Sequence, residues 1–244
     1  MSKNVVAIIQ TRMGSTRLPG KVLLDLCGRP VIYHVIDRVL QSRHINRIVI
    51  ATTVEPGDDV IVKTIDGYHP NVSVFRGSQD DVLDRYYQAA SQSNADLVVR
   101  ITSDCPLIDP VITDSVIDAY SRGAYSYVSN IGERSFPRGL DTEVFSFAAL
   151  ETAWRDARLP DEREHVTPFI RNHPERFPAF NLASPIDCSR YRWTLDTSDD
   201  WAFIKAIYQR LYQGNSYFEY EAVLRLLEQH PELAGLNAHV QQKA

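Results

Sequence analysis

The sequence predicts an α/β fold built on a mostly parallel sheet, with an antiparallel excursion in its second half. Three observations carry this. Val5–Gln10, Ile48–Ala51 and Leu97–Val99 are continuous apolar runs, the pattern of strands buried on both faces. Segments with apolar residues at helical spacing lie between them, so each strand is followed by a crossover helix. Beyond residue 122 the strict alternation stops, as it does when a sheet adds antiparallel strands.

Taken in order, Val5–Gln10 reads as the first strand, and Lys21–Leu26 as a short extended piece closing the loop after it. From Pro30, the residues Val31, Ile32, Val35, Val39 and Leu40 fall on one helical face, with proline suited to the first turn. Arg47–Thr52 is a second strand, and Glu55–Asp59 turns into a short helix ending near Ile65. Val72–Phe75 is a third strand and Asp80–Ser93 a helix whose acidic start suits its N-terminus. Asp96–Ile101 is a fourth strand, followed by a loop and a helix from Pro110 to Ser121. In the second half, Tyr125–Ser129 and Thr142–Phe145 read as strands, and Phe147–Arg158 and Glu162–Asn172 as helices. Phe177–Leu182 and Tyr191–Leu195 read as extended, and Ser198–Tyr212 and Tyr217–His230 as helices with a polar tail behind them.

The 244 residues are enough for one substantial core, and no Gly/Ser/Pro-rich linker divides them. The reading is a single domain over 1–244: a nucleotide-binding half at 1–122, an acceptor and dimerisation half at 123–213, and a helical extension at 214–244. A net charge of -5 gives no general basic footprint for nucleic acid. Three scattered cysteines match no zinc spacing, no apolar stretch reaches membrane length, and the first residues do not form a signal peptide. A reduced, cytoplasmic protein with no membrane or nucleic-acid partner is expected.

The chemistry concentrates where strands end. Gln10-Thr11-Arg12-Met13-Gly14-Ser15-Thr16-Arg17-Leu18-Pro19-Gly20-Lys21 leaves a buried strand as a basic, glycine-containing loop, the usual way such folds hold phosphate. It is not a P-loop: five residues separate the glycines, and Val22 stands where a magnesium-binding hydroxyl would be needed. Asp104, just after the fourth strand, reaches the same sheet edge, where a carboxylate can hold Mg²⁺ against a triphosphate. Asp109 before Pro110 reads as a helix cap. Asp196 also ends a strand, but by itself it reads first as part of a helix cap, with Thr197 and Ser198. Cys105 reads as a small apolar filler. Arg76, Ser78 and Arg85 surround the third strand's end. Arg134, Arg138 and the stretch Glu162–His165 are candidates for an anionic acceptor or for plain ion pairs.

As an ordered set, residues 10–21, 75–87, 100–110, 138–141, 162–168 and 192–200 resemble the cytidylyltransferases that activate acidic sugars. These include CMP-KDO synthetase and acylneuraminate cytidylyltransferase, with the likeness strongest to the spore-coat polysaccharide biosynthesis protein F branch and extending to about residue 213. The resemblance implies a Rossmann-like three-layer sandwich of the nucleotide-diphospho-sugar transferase type, CTP and an acidic sugar as substrates, Mg²⁺ as cofactor, and a homodimer. It implies Arg12, Lys21, Asp104 and Asp196 as the catalytic set, the two aspartates being the metal ligands. Gln10, Arg12, Gly14, Ser15, Lys21, Arg76 and Arg85 are then the nucleotide-binding candidates, and Arg138 and His165 those for the acceptor. The loop follows the Arg-Leu-Pro-Gly-Lys form of KDO enzymes, whereas Ser103-Asp104-Cys105-Pro106 replaces their Gly-Asp-Glu-Pro. A nucleotide-sugar-dependent glycosyltransferase, or a non-catalytic nucleotide-binding module, is the alternative. The absence of an Asp-X-Asp at a strand end weighs against the former.

Overall fold

The computed structural model describes residues 3–214 and 217–242. Of the expected extension over 214–244, residues 215, 216, 243 and 244 lie outside them, as do Met1 and Ser2 at the other end. Strand β1 (Val5–Gln10) is followed by a one-turn helix at Lys21–Leu23 and a small ribbon of β2 (Asp25–Leu26) and β3 (Arg29–Pro30). The extended piece expected over 21–26 is therefore a turn and a hairpin edge. Then come α1 (Val31–Leu40), β4 (Arg47–Thr53), α2 (Asp59–Ile65), β5 (Val72–Gly77), α3 (Val82–Gln92), β6 (Leu97–Thr102) and α4 (Pro110–Arg122). The second half supplies β7 (Tyr127–Ser129), β8 (Glu143–Ser146), α5 (Phe147–Asp156), α6 (Pro160–His165), α7 (Pro168–Asn172), β9 (Ala179–Asn181), α8 (Ser198–Leu211), α9 (Tyr220–Gln229) and α10 (Pro231–Ala234).

One seven-stranded sheet runs through both halves in the order β5-β4-β1-β6-β8-β7-β9. β1, β4, β5 and β6 are mutually parallel, while β8 is antiparallel to both β6 and β7, which is the expected excursion. The continuous apolar run of β1 has its reason here. Val5, Ala7 and Ile9 pack with α1 and α4 on one face, and Val6 and Ile8 with α3 and α5 on the other. Successive side chains of a strand point to opposite faces, so a strand covered on both sides needs no polar position. A third cluster packs α8 and α9 around Trp193 and Leu195.

Two expectations need correction. The helix expected over 162–172 is two short ones, broken at Val166, where φ is 71° and ψ -55°. Thr167 N–H donates to His165 O at 2.8 Å, closing a strained three-residue turn. Pro168 explains the break, since it has no N–H to continue the ladder and its ring would clash with the carbonyl one turn earlier. Tyr191–Leu195 is not a strand of the sheet: its bridge, between Arg192 and Arg138, stands outside the named strands. Among the described residues, no helix is long and apolar enough to cross a membrane.

Candidate active site

The parallel strands β1 and β6 end side by side, with Gln10 opposite Thr102, so the loops that follow them meet on one edge. There Lys21 Nζ lies 2.8 Å from Asp104 Oδ2 and 2.6 Å from Asp196 Oδ1. Three residues far apart in the chain thus share one point. Asp196 Oδ2 also accepts from Arg192 at 2.9 Å and pairs with Arg17 at 3.1 Å, while the Thr102 hydroxyl donates to Asp104 Oδ1 at 2.6 Å. Burial alone would disfavour every charge here. The two carboxylates nevertheless hold the Lys21 ammonium above its ordinary pKa, and Lys21 holds Asp104 below the usual carboxylate range.

Each of these residues is placed by a local device. Gly20 takes φ 67°, a left-handed conformation that lets the loop turn into Lys21. Thr197 caps α8, accepting from Asp200 N–H, which leaves the Asp196 side chain free for Lys21. The fully buried Asp200 accepts from Arg192 and from the N–H groups of Asp196 and Thr197, fixing the turn from behind. Leu195 N–H donates to Asp104 O at 2.8 Å, tying the two aspartate segments together through backbone. Gly139, at φ 109°, lies flat against this segment: a Cβ there would sit 2.7 Å from the carbonyl carbon of Trp193. Asp109 caps α4 as expected, accepting from Val111 and Ile112 N–H.

A cavity of about 450 Å³ opens over this edge, lined by Gln10, Arg12, Gly14, Ser15, Lys21, Arg85, Asp104, His165 and Asp196 among others. A Cβ on Gly14 would meet nothing within 4 Å, so the glycine keeps space in the cavity rather than relieving a clash. Three buried polar atoms of cavity-lining residues, Gln10 Oε1, Thr11 Oγ1 and Arg85 Nε, have no hydrogen-bond partner among the described residues. Arg85 is 2% exposed, and burial together with nearby Arg12 lowers its pKa. Glu164 and His165 reach the cavity from the strained turn at Val166, which is anchored by the Thr167 hydroxyl donating to the buried Glu143.

Two expected residues stand elsewhere. Arg76 does not line the cavity: its guanidinium donates to Thr53 O and Glu55 O and pairs with Asp59, bracing the turn before α2. Arg138 is also outside the lining, with Arg134, Asp141, Arg192 and Cys105 as its charged and titratable neighbours. Burial pushes the Cys105 thiol well up, helped by adjacent Asp104, which suits a filler rather than a nucleophile. The sequence reading missed Arg192 and Asp200 as supports of Asp196, and it treated Asp58 only as part of a helix start. Their partners lie across folds in the chain that no local pattern announces.

The donor set at this edge suits a divalent ion, because Asp104 and Asp196 already converge on a single cation. Among the described residues no group of three or more His, Cys, Asp or Glu could hold a metal. An ion there would complete its shell with substrate oxygens, the habit of magnesium at phosphate sites.

Known proteins resemble this chain over most of its length. A family model described as cytidylyltransferase matches residues 6–228, past the limit near 213 that the motifs indicated. The spore coat polysaccharide biosynthesis protein SpsF of Bacillus subtilis is 35% identical over 240 residues, covering 95% of this chain and 97% of that protein. A 3-deoxy-manno-octulosonate cytidylyltransferase of Geobacter sulfurreducens is 35% identical over 114 residues, 47% of this chain and 44% of that protein. A solved cytidylyltransferase from Leptospira borgpetersenii superposes with a TM-score of 0.87 at 33% identity, covering 100% of this chain and 99% of that one. With residues 6–228 matched and full-length relatives at this identity, the chain belongs to the cytidylyltransferase family, enzymes of nucleotidyl transfer.

Proposed function

We propose that the protein transfers CMP from CTP to an acidic sugar of the nonulosonic or KDO-like class, releasing pyrophosphate, in surface polysaccharide biosynthesis. The observation that carries this is Lys21 bridging Asp104 and Asp196 at the floor of a cavity walled by the basic loop. Transfer at a phosphate needs little covalent help; it needs in-line placement and neutralisation of charge on the phosphoryl oxygens and the leaving group. Arg12, Arg17 and Lys21 supply that charge from one loop, with Gly14 and Ser15 giving the phosphates room. Arg85 and Gln10 offer unsatisfied polar groups to the rest of the nucleotide. Asp104 and Asp196 are the residues that would hold Mg²⁺. When bound, the ion neutralises phosphate charge and lowers the pKa of a coordinated oxygen.

His165, which also lines the cavity, is the acceptor-side residue of this reading. Arg138, outside the lining, is an acceptor candidate on the resemblance alone, since Arg134 and Arg192 beside it already pair with Asp141 and with Asp196 and Asp200. The resemblance to the sugar-activating enzymes further supports a homodimer.

The test is pyrophosphate release from each of the four nucleoside triphosphates against a panel of sugar acids. CTP with a sugar acid should give pyrophosphate and a CMP-sugar, and Asp196→Asn should lose roughly 100- to 1000-fold in rate. Release of a nucleoside diphosphate from a nucleotide sugar would instead identify a glycosyltransferase.

A further inference from the structure

Asp58 occupies the N-cap position of α2, where an aspartate normally accepts from its own helix. Its side chain makes no such bond. It is 4% exposed and turns away from α2 toward the basic loop. Met13 N–H donates to its Oδ1 at 2.7 Å, while Oδ2 accepts from the Thr52 hydroxyl at 3.2 Å, Thr53 N–H at 3.3 Å and the Thr53 hydroxyl. The Met13 peptide is in turn the loop's hub, because its carbonyl accepts from Ser15 N–H at 2.8 Å and from Gly20 N–H at 3.3 Å. The turn bearing Asp58 is braced by Arg76, through Thr53 O, Glu55 O and Asp59. A line of contacts therefore runs from the end of β5, through the turn after β4, to the centre of the loop.

We propose that Asp58 is the positioning residue of the basic loop: it fixes Met13 so that residues 11–21 are already shaped for a polyphosphate when the nucleotide arrives. This rests on the reading that the loop takes the triphosphate. A glycine-containing loop left to order on binding would lose backbone entropy for every residue fixed, and that loss comes directly out of affinity. A carboxylate suits the task better than a hydroxyl, since it accepts several donors at once and its bonds are roughly twice as strong. Its negative charge also lies near Arg85, as does Arg12, and so offsets part of the repulsion between those two cations.

The experiment is calorimetric titration of the full chain with CTP and separately with CMP, both with Mg²⁺, for wild type, Asp58→Ala, Asp58→Asn and Arg12→Ala. Asp58→Ala should weaken CTP roughly 10- to 100-fold, the range spanned by a hydrogen bond to a charged group, and CMP by less than about threefold. Asp58→Asn keeps an oxygen for Met13 N–H and should fall between. Hydrogen exchange should quicken over residues 12–20 in both variants and stay unchanged over 97–102. If Asp58→Ala does not fold, the same CTP-to-CMP ratio and exchange pattern are read from Asp58→Asn. Equal weakening of CTP and CMP, tracking thermal stability, would overturn the proposal. So would CTP affinity lost in Arg12→Ala but intact in the Asp58 variants. If Arg12→Ala also leaves CTP binding intact, the loop does not take the triphosphate and both readings fall together.

Discussion

Replacing Lys21 by Met removes the cation shared by Asp104 and Asp196 while keeping much of the side chain's volume. The two carboxylate oxygens lie 2.8 and 2.6 Å from one nitrogen, so they are at most about 5.4 Å apart. At an effective dielectric of about 20, two unit charges at that distance repel by about 3 kcal/mol. Arg17 and Arg192 continue to hold Asp196 Oδ2, but among the described residues the Asp104 carboxylate keeps only the Thr102 hydroxyl and the Cys105 thiol. The expected loss is therefore about 2–3 kcal/mol at pH 8, or roughly 5–10 °C in Tm for a chain of this size. Protonating one carboxyl relieves the repulsion, so the deficit should narrow as the pH is lowered. A divalent ion can take the place of the missing ammonium: Mn²⁺ at a hundredfold excess over its Kd restores about 2.7 kcal/mol to the variant. Wild type without nucleotide should respond far less, because Lys21 already satisfies both carboxylates. Thermal unfolding by circular dichroism with and without MnCl₂ reads all of this. A variant as stable as wild type, or a wild type equally stabilised by Mn²⁺, would refute the reasoning.

Glu143 tests the anchor of the His165 turn. Burial would raise its carboxyl, but Arg100 beside it and hydrogen bonds from Thr167 and Tyr127 bring it below its ordinary 4.5. A depressed carboxyl adds stability that is present above its unfolded pKa and disappears as the pH falls through the folded one. Glu143→Gln should thus be clearly less stable than wild type at pH 7, with the gap closing below about pH 4 in denaturant titrations across pH. Gly139→Ala forces a side chain into left-handed backbone and against the Trp193 carbonyl, neither of which moves cheaply. It should cost about 3 kcal/mol or more and depress nucleotidyl transfer in the surviving folded fraction, read by calorimetry and pyrophosphate release.

Much of the framework was legible because it depends on local chemistry. The unbroken apolar run of β1 announced a strand covered on both faces, and Asp109-Pro110 announced a capped helix start. The basic loop stood out by composition. What the residues alone did not reveal was that Asp196 turns to Lys21 rather than to its own helix. Thr197 takes the capping role, and that division of labour is visible only in three dimensions. Arg76 misled for a related reason: its position at a strand end suggested the cavity, yet nearby carbonyls of the 53–59 turn captured its guanidinium first. The break at Val166 had a signal in Thr167-Pro168, outweighed by the helical look of the residues on either side. Asp58 had no signal beyond its cap position, since its decisive partner, Met13, is 45 residues earlier.

The place of β8 in the sheet matters before the protein is finished. β6 pairs on one side with β1, which precedes it, and on the other with β8, whose residues are made only after α4, β7 and a long loop. During synthesis at about 5–20 residues per second, the apolar strand Leu97–Thr102 would spend roughly 2–9 s as an open edge. Such an edge is a template for pairing with other chains. Nascent copies on neighbouring ribosomes are the nearest candidates. Any fragment ended between β6 and β8 makes that interval permanent, so residues 1–122 are a poor unit to produce alone even though they hold most of the basic loop's supports.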